Sequence, residues 1–299
     1  MYDTIVVGAG PSGIQCATVL AFDGRKVLLL DEGRPGGQIL QSPLILNVAG
    51  YARGFSGEDW AYEAYRQAAN VGVQLKADSA RHHVKAVVKD RQDVFTVRTA
   101  FDEYRARSVV MASGCQEHAL AIPGARLEGV HYSLHPATEV EGGRKVVVIG
   151  GANSAGTAVM VLSNLQDMDV TLLHRGDLHI SRGIQDDWGE HVRVQQTEVY
   201  GIASDRTLML YTDAGVIHGV QDVYVMAGRQ PNTMYSDTLV NTNTMGFVYA
   251  DLYKGRTDCT GLYAIGNVVH NSVRTMGAAL GSGVTCAYNV GEFLAMRGV

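Results

Sequence analysis

A glycine-rich turn near the start of the chain is the sequence feature that most constrains the fold. The run GAGPSG at residues 8–13 lies between a short apolar strand and a helix, and Asp31 stands at the end of the next strand. Gly8 permits a tight turn, Gly10 lets the backbone approach a diphosphate, and Gly13 lets the helix pack on the strand. The pattern predicts a βαβ unit that binds a dinucleotide at the helix N-terminus, with Asp31 accepting hydrogen bonds from a ribose.

The same strand–turn–helix pattern returns at residue 145, and strands alternate with helices between the two copies. Strands are predicted at residues 4–7, 26–30, 86–88, 94–99, 108–111, 145–149, 170–173, 192–195, 207–211, 220–226 and 262–264, and helices at 11–22, 56–71, 153–165 and 275–296. We therefore predict an α/β protein with two Rossmann-like dinucleotide-binding domains. The predicted first domain is discontinuous, residues 1–116 and 243–299, and residues 117–242 are inserted into it.

Composition excludes several classes of protein. The chain has 299 residues, enough for two domains, and a net charge of −5 without a basic run, so we expect neither a nucleic-acid nor a membrane partner. No apolar stretch reaches the length of a spanning helix, and the chain enters a strand without a secretory leader. Its four cysteines lie far apart, which is typical of a reducing compartment, so we predict a cytoplasmic protein.

Several further motifs resemble those of the low-molecular-weight thioredoxin reductases, over nearly the whole chain. They are the GGQ run at residues 36–38, the segments 47–51, 55–57, 112–114 and 228–232, the run GLYAIGN at 261–267, and RTM at 274–276. The resemblance implies FAD in the first site, with residues 36–38 and 47–51 beside the isoalloxazine ring, residues 261–267 as a second FAD motif, and the helix after residue 276 facing the flavin. It also implies a homodimer. The FAD-binding residues it implies are Gly8, Gly10, Pro11, Ser12, Gly13, Asp31, Glu32, Gly37, Gln38, Asn47, Ala112, Ser113, Gly114, Gly266, Asn267, Arg274, Thr275 and Met276.

Asn267 departs from this family, which usually has Asp at that position. An amide can still donate to and accept from a ribityl hydroxyl, so we expect FAD binding to tolerate the change.

The second glycine motif indicates a pyridine-nucleotide site that is less complete. Its predicted nucleotide-binding residues are Gly150, Asn153, Ser154, Ala155 and Arg175. Ala152 replaces the middle glycine, and its methyl would crowd a diphosphate. His174 and Arg175 stand where an NAD site would have an acid, which favours NADPH over NADH. Arg182 could replace one of the family's usual arginines, and the alternative is a domain kept as a scaffold.

The segment before the second motif lacks the family's CxxC redox pair. By resemblance the two cysteine positions hold Ser133 and Pro136, which cannot pass electrons to a dithiol. His135, between them, could act as a catalytic proton donor beside the flavin, with Ser133 as a weaker candidate; the alternative is a surface histidine. Cys16 is predicted to pack in the core, and Cys115 is a candidate single reactive thiol. No metal-ligand spacing is present.

These features leave four candidate functions. The leading one is an FAD-dependent oxidoreductase that passes hydride from NAD(P)H through FAD to an unknown small-molecule or small-protein acceptor, without disulfide reductase chemistry. The second is a ferredoxin–NADP reductase of the thioredoxin reductase type, although such proteins usually have a C-terminal extension and this chain ends at Val299. The third is an FAD oxidase with a degenerate NAD(P)H site. The fourth is a flavin-bound structural or sensing protein without turnover.

Overall fold

The computed structural model describes residues 1–117, 119–134, 141–236 and 238–299. The chain forms two compact units, one made of Met1–Gln116 with Gln230–Val299 and the other of Glu117–Arg229. Each unit contains parallel strands and a glycine turn that leads into a helix, and the second unit is inserted into the first. The predicted α/β fold with two Rossmann-like units is confirmed.

The described residues contain these strands in chain order: β1 (Tyr2–Val7), β2 (Val27–Leu30), β3 (Gln74–Lys76), β4 (Val84–Lys89), β5 (Phe95–Thr99), β6 (Glu103–Met111), β7 (Cys115–Glu117), β8 (Val130–His131), β9 (Lys145–Ile149), β10 (Asp169–His174), β11 (Arg193–Gln196), β12 (Val199–Ser204), β13 (Leu208–Thr212), β14 (Gly215–Val220), β15 (Asp222–Val225), β16 (Arg229–Pro231) and β17 (Leu262–Ala264). The α-helices are α1 (Pro11–Phe22), α2 (Gly57–Asn70), α3 (Asn153–Ser163), α4 (Arg182–Gln185) and α5 (Met276–Ala295). No described helix combines the length and apolar character needed to cross a membrane.

The first unit is built on a mixed sheet in the order β3-β2-β1-β6-β5-β4, with β17 also paired to β6. Strands β3, β2, β1, β6 and β17 run parallel, whereas β4 and β5 form the predicted antiparallel excursion. All four residues of β2 are buried, as expected for a strand covered on both faces. Helices α1 and α5 cover one face, so that Cys16 and Cys286 lie fully buried in the same apolar cluster.

The second unit contains a parallel sheet in the order β11-β10-β9-β15-β8 and an antiparallel sheet of β12, β13 and β14. One predicted strand, residues 220–226, is in fact two strands that belong to different sheets: β14 ends at Val220 and β15 begins at Asp222. The sequence pattern shows no break between these strands, because the residues on both sides of the junction are apolar. Val220 and Val223 are both buried in one cluster.

The return crossing lies at residues 229–230, whereas the sequence interpretation placed it at 242–243. Hydrogen bonds explain why the intervening residues pack with the first unit. Asn232 donates from Nδ2 to the Ser113 carbonyl at 2.9 Å and from its backbone N–H to the Gly114 carbonyl at 3.0 Å. The Tyr235 hydroxyl donates to Ser113 Oγ at 2.8 Å.

Candidate cofactor-binding site

The glycine turn of the first unit combines two tightly packed glycines with one that faces open space. A Cβ on Gly8 would lie 2.3 Å from the Ala112 carbonyl oxygen, and one on Gly13 would lie 1.9 Å from the Gly8 carbonyl oxygen. A Cβ on Gly10, in contrast, would have no atom within 4 Å. Gly10 is the N-cap of α1, so this space lies in front of the helix N-terminus, where backbone N–H groups lack helical partners. A cradle of this shape fits a diphosphate.

Asp31 lies beside this turn, at the end of β2. Its carboxylate accepts from the Ala9 N–H at 2.6 Å and from the Gly33 N–H at 2.8 Å. Burial raises the pKa of Asp31, the two backbone hydrogen bonds oppose that shift, and Glu32 adds to it. The carboxylate therefore both holds the turn in shape and lies where a ribose would follow the diphosphate.

Further segments that the sequence predicted to bind the cofactor meet the same turn. A Cβ on Gly37 would lie 3.4 Å from Gly10 Cα, and one on Gly266 would lie 2.5 Å from Ser12 Oγ. Asn267 donates from Nδ2 to Gln38 Oε1 at 2.8 Å. The GGQ turn and the C-terminal motif are thus brought together around the start of α1.

Other predicted residues have different local roles. Thr275 is the N-cap of α5, and its hydroxyl accepts from the Ala278 N–H. The Arg274 guanidinium lies 4.8 Å from the centre of the Phe247 ring, and Met276 is buried. Glu32 is paired with His83 at 2.5 Å. Asn47 is exposed, in the loop that the Ile45–Phe55 bridge closes.

In the second unit, Ala152 occupies the N-cap of α3, the position that corresponds to Gly10. Its φ of −122° is an extended conformation that any residue adopts, so the methyl group causes no backbone strain. The side chain is exposed at the helix N-terminus and takes part of the space that a diphosphate would need. Gly151 accepts from the His179 N–H at 2.7 Å, and Asn153 Oδ1 accepts from the Ser181 N–H at the same distance. The loop after β10 is therefore held against the turn.

A basic side chain contacts the first turn of α3. Arg229 donates from Nη2 to Ser154 Oγ at 3.0 Å. Arg175 and Arg182 are exposed, one directly after β10 and one in α4. The sequence interpretation did not assign Arg229. It could have been found from its place after β15, because β9, β10 and β15 are parallel and ligands bind at the carboxyl ends of such strands.

The segment that the sequence interpretation aligned with the family's cysteine pair is described only in part. Ser133 follows β8 and is half-buried, whereas His135 and Pro136 lie outside the described residues. All four cysteines are free thiols, and Cys115 is 5% exposed. The described residues contain no cluster of three His, Cys, Asp or Glu side chains that could hold a metal ion.

Two Rossmann-like units, each with a glycine turn at a helix N-terminus, define a dinucleotide-binding α/β protein. Residues 2–283 match the pyridine nucleotide-disulphide oxidoreductase family, and the chain belongs to it. Thioredoxin reductase from Treponema pallidum is 29% identical over 314 residues, covering 98% of this chain and 97% of that protein.

Solved structures give the same result for the fold. A thioredoxin reductase from Lactococcus lactis, in its FR conformation, superposes with a TM-score of 0.89 at 25% identity, covering 99% of this chain and 100% of that one. The bacillithiol disulfide reductase Bdr from Staphylococcus aureus superposes with a TM-score of 0.80 at 22% identity, covering 99% of each chain. The protein is an oxidoreductase of the pyridine nucleotide-disulphide type, with the fold of the thioredoxin reductases.

Proposed function

We propose that this chain passes electrons from NAD(P)H through FAD to an external acceptor, without a redox-active dithiol of its own. The observation that supports this most directly is the open cradle in front of Gly10, with the Asp31 carboxylate beside it. A bound FAD would supply the chemistry of accepting hydride and releasing electrons. Residues 133 and 136, which are Ser and Pro, offer no thiol to receive those electrons.

The residues of the first unit would hold FAD by separate contacts. The Ser12 and Gly13 N–H groups at the start of α1 would donate to the diphosphate, favoured by the helix dipole. Asp31 would accept from ribose hydroxyls, and Asn267 Oδ1 would accept from a ribityl hydroxyl. The first turn of α5, capped by Thr275, would direct its N–H groups at the flavin.

For the nucleotide we propose NADPH rather than NADH. Arg175 follows β10 where an NAD-binding domain would place an acid to accept from the 2′-hydroxyl. Guanidinium groups pair well with phosphates, so Arg175 favours the 2′-phosphate. Arg229, at the start of α3, would instead pair with the diphosphate that NADPH and NADH share.

Ala152 supports a second candidate, an FAD-dependent oxidase that makes no use of the second unit. In that case no nucleotide binds at α3, and the methyl group of Ala152 at its N-cap has no effect on activity. Mutation of Ala152 would then leave electron transfer unaffected.

The test is to mix the purified, flavin-loaded protein anaerobically with NADPH or NADH and follow flavin absorbance near about 450 nm. We expect rapid bleaching, faster with NADPH. Ala152→Gly should tighten NADPH binding by about tenfold, and Arg229→Ala should weaken it by a similar factor, since each changes contacts worth ~1–2 kcal/mol. Flavin that neither nucleotide reduces, in the wild type or in Ala152→Gly, would exclude the hydride pathway and favour the oxidase.

We further propose a cytoplasmic homodimer whose acceptor is a small molecule or a small protein. The free state of all four cysteines supports a reducing compartment. Exposed Leu252, Tyr253 and Val273 on the first unit support an apolar contact between copies. Light scattering coupled to gel filtration checks the mass, and a monomer at micromolar concentration would exclude the dimer.

A further inference from the structure

Two side-chain amides connect three segments of the first unit at the proposed flavin site. Asn267 Nδ2 donates to Gln38 Oε1 at 2.8 Å. Gln38 Nε2 in turn donates to the Cys115 carbonyl oxygen at 2.6 Å, and Cys115 Sγ lies 3.5 Å from the same nitrogen. We call this chain of contacts from Asn267 through Gln38 to Cys115 the amide clasp. It links the C-terminal motif, the GGQ turn and the segment after β6.

The hydrogen bonds of the amide clasp can run in only one direction, from Asn267 to Gln38 and from Gln38 to Cys115. A backbone carbonyl can only accept hydrogen bonds, so the NH₂ end of Gln38 must face Cys115. The oxygen end of Gln38 must therefore face residue 267, and residue 267 must be a donor. Asn267 meets that requirement. An aspartate, which the family usually has at this position, is an acceptor only when ionised.

With an ionised carboxylate at position 267, the clasp could not close in either orientation of Gln38. In the present orientation, two acceptor oxygens would face each other across the Asn267–Gln38 contact. If the Gln38 amide turned over, its oxygen would instead face the Cys115 carbonyl across the 2.6 Å contact. Each arrangement brings two acceptor oxygens into contact in a partly buried place, and their repulsion adds to the loss of the hydrogen bond that removal of one partner would cause.

We infer that Asn267, besides the ribityl contact proposed above, positions the flavin site through Gln38, because its Nδ2 holds the GGQ turn against the segment at Cys115. The inference rests on the proposed function, because the flavin is the proposed occupant of this site. The clasp therefore requires an amide at position 267, where the family usually has an aspartate.

The test compares Asn267→Asp with Asn267→Ala, alone and together with Gln38→Ala. Asp has the shape of Asn, so a packing role predicts that Asp is milder than Ala. The clasp predicts the reverse order: FAD affinity should fall by about tenfold more in Asn267→Asp than in Asn267→Ala. In the Gln38→Ala background the order should reverse, because Asn267→Asp keeps an oxygen that can accept from the ribityl hydroxyl and Asn267→Ala does not. Asn70→Asp, an exposed position on α2, adds the same charge without touching the clasp and should bind FAD like the wild type.

A second measurement needs no flavin. In the apoprotein, an open clasp exposes Cys115, so Asn267→Asp should raise the alkylation rate of Cys115 by about tenfold, read by mass spectrometry of its peptide. The inference would be overturned if Asn267→Asp lowered FAD affinity less than Asn267→Ala, or if its larger loss persisted in the Gln38→Ala background. An unchanged alkylation rate of Cys115 in Asn267→Asp would overturn it as well. If the wild type binds no FAD, the proposed function fails, whereas the alkylation result still tests the clasp.

Discussion

At the scale of single residues, the two glycine turns can be compared at the N-cap of the helix that follows each of them. Gly10 and Ala152 are both N-caps in extended conformations, and they differ by the methyl group that faces the space in front of the helix. Neither position needs the conformational freedom of glycine, so the backbone does not require a glycine at either of them.

Gly10→Ala should therefore leave the apoprotein folded and remove the cofactor. The new methyl group has no atom within 4 Å, so the free energy of unfolding should change by less than about 0.5 kcal/mol. FAD affinity should fall by about a hundredfold or more, because the methyl occupies the place of the diphosphate. Urea unfolding and fluorescence titration with FAD measure the two quantities.

Gly13→Ala is the contrasting variant, because its Cβ would lie 1.9 Å from a backbone oxygen. It should lower the stability of the apoprotein by about 1–3 kcal/mol. Equal losses of stability in the two variants would contradict the assignment of Gly10 to ligand contact.

Asp222 is a second residue with a measurable signature. Burial alone raises its pKa, but hydrogen bonds from His131 at 2.8 Å and Arg144 at 2.7 Å outweigh burial and hold the pKa below its usual value. A carboxylate with a lowered pKa in the folded state adds stability above its unfolded pKa, about 3.9, and that stability is lost as the pH falls through the folded value.

Asp222→Asn should cost about 1–3 kcal/mol at neutral pH and should flatten the loss of stability below about pH 4. Urea unfolding between about pH 3 and pH 7 measures both effects. The exposed Asp205→Asn serves as control. A variant that loses stability in acid as steeply as the wild type would refute the role of this carboxylate.

At the scale of elements, α1 packs against α5. This contact sets the distance between the N-termini of the two helices, which would both face the proposed FAD. A Cβ on Gly283 would lie 2.6 Å from the Ser12 carbonyl oxygen and 3.1 Å from the Cys16 backbone nitrogen. The helices thus approach closely at a glycine, beside the buried thiols of Cys16 and Cys286. Burial raises the pKa of the Cys286 thiol well above its usual value, and the hydrogen bond with Cys16 adds to the shift, so the Cys286 thiol stays protonated.

Gly283→Ala should push α5 away from α1. We expect a loss of about 1–3 kcal/mol in the free energy of unfolding and a weaker affinity for FAD. Gly281→Ala, on the same helix with no atom within 4 Å of its Cβ, should instead stabilise by about 0.5–1 kcal/mol, because alanine is the better helix former. Chemical denaturation of both variants measures the contrast, and a similar response from the two would contradict the packing argument.

At the scale of the whole molecule, each unit has apolar clusters of its own. Among the described residues, two clusters lie in the first unit and two in the second. We therefore expect the inserted unit to fold as an isolated fragment, because its apolar clusters are formed by its own residues.

A fragment of residues 117–229 should unfold cooperatively in urea and bind NADPH without flavin, as judged by circular dichroism and calorimetric titration. The longer fragment 117–242 should be no more stable, because Ser236 and Val240 are buried in the first unit. A fragment 117–229 without a cooperative transition would show that its clusters do not suffice.

The sequence by itself determined the two glycine turns, the alternation of strands and helices, and the insertion of one unit in the other. The turns and the alternation are local features, since a strand, a turn and a helix of one βαβ unit lie within about 30 residues of each other. The insertion followed from the second copy of that unit and from the C-terminal segment that resembles an FAD motif. The sequence also predicted the antiparallel excursion at β4 and β5. It did not predict six strands whose short or Gly-containing sequences lack a clear period of two, namely β3, β7, β8, β12, β14 and β16.

Only the tertiary structure decided the return crossing, the contact of Arg229 with Ser154 and the amide clasp. The partners in these contacts are separated by 119 residues for Ser113 and Asn232, 75 for Arg229 and Ser154, and 229 for Asn267 and Gln38. Hydrogen bonds between such distant positions leave no periodic pattern in the sequence. They form because the parallel sheets bring the ends of different strands to one edge, and that arrangement exists only in the folded chain.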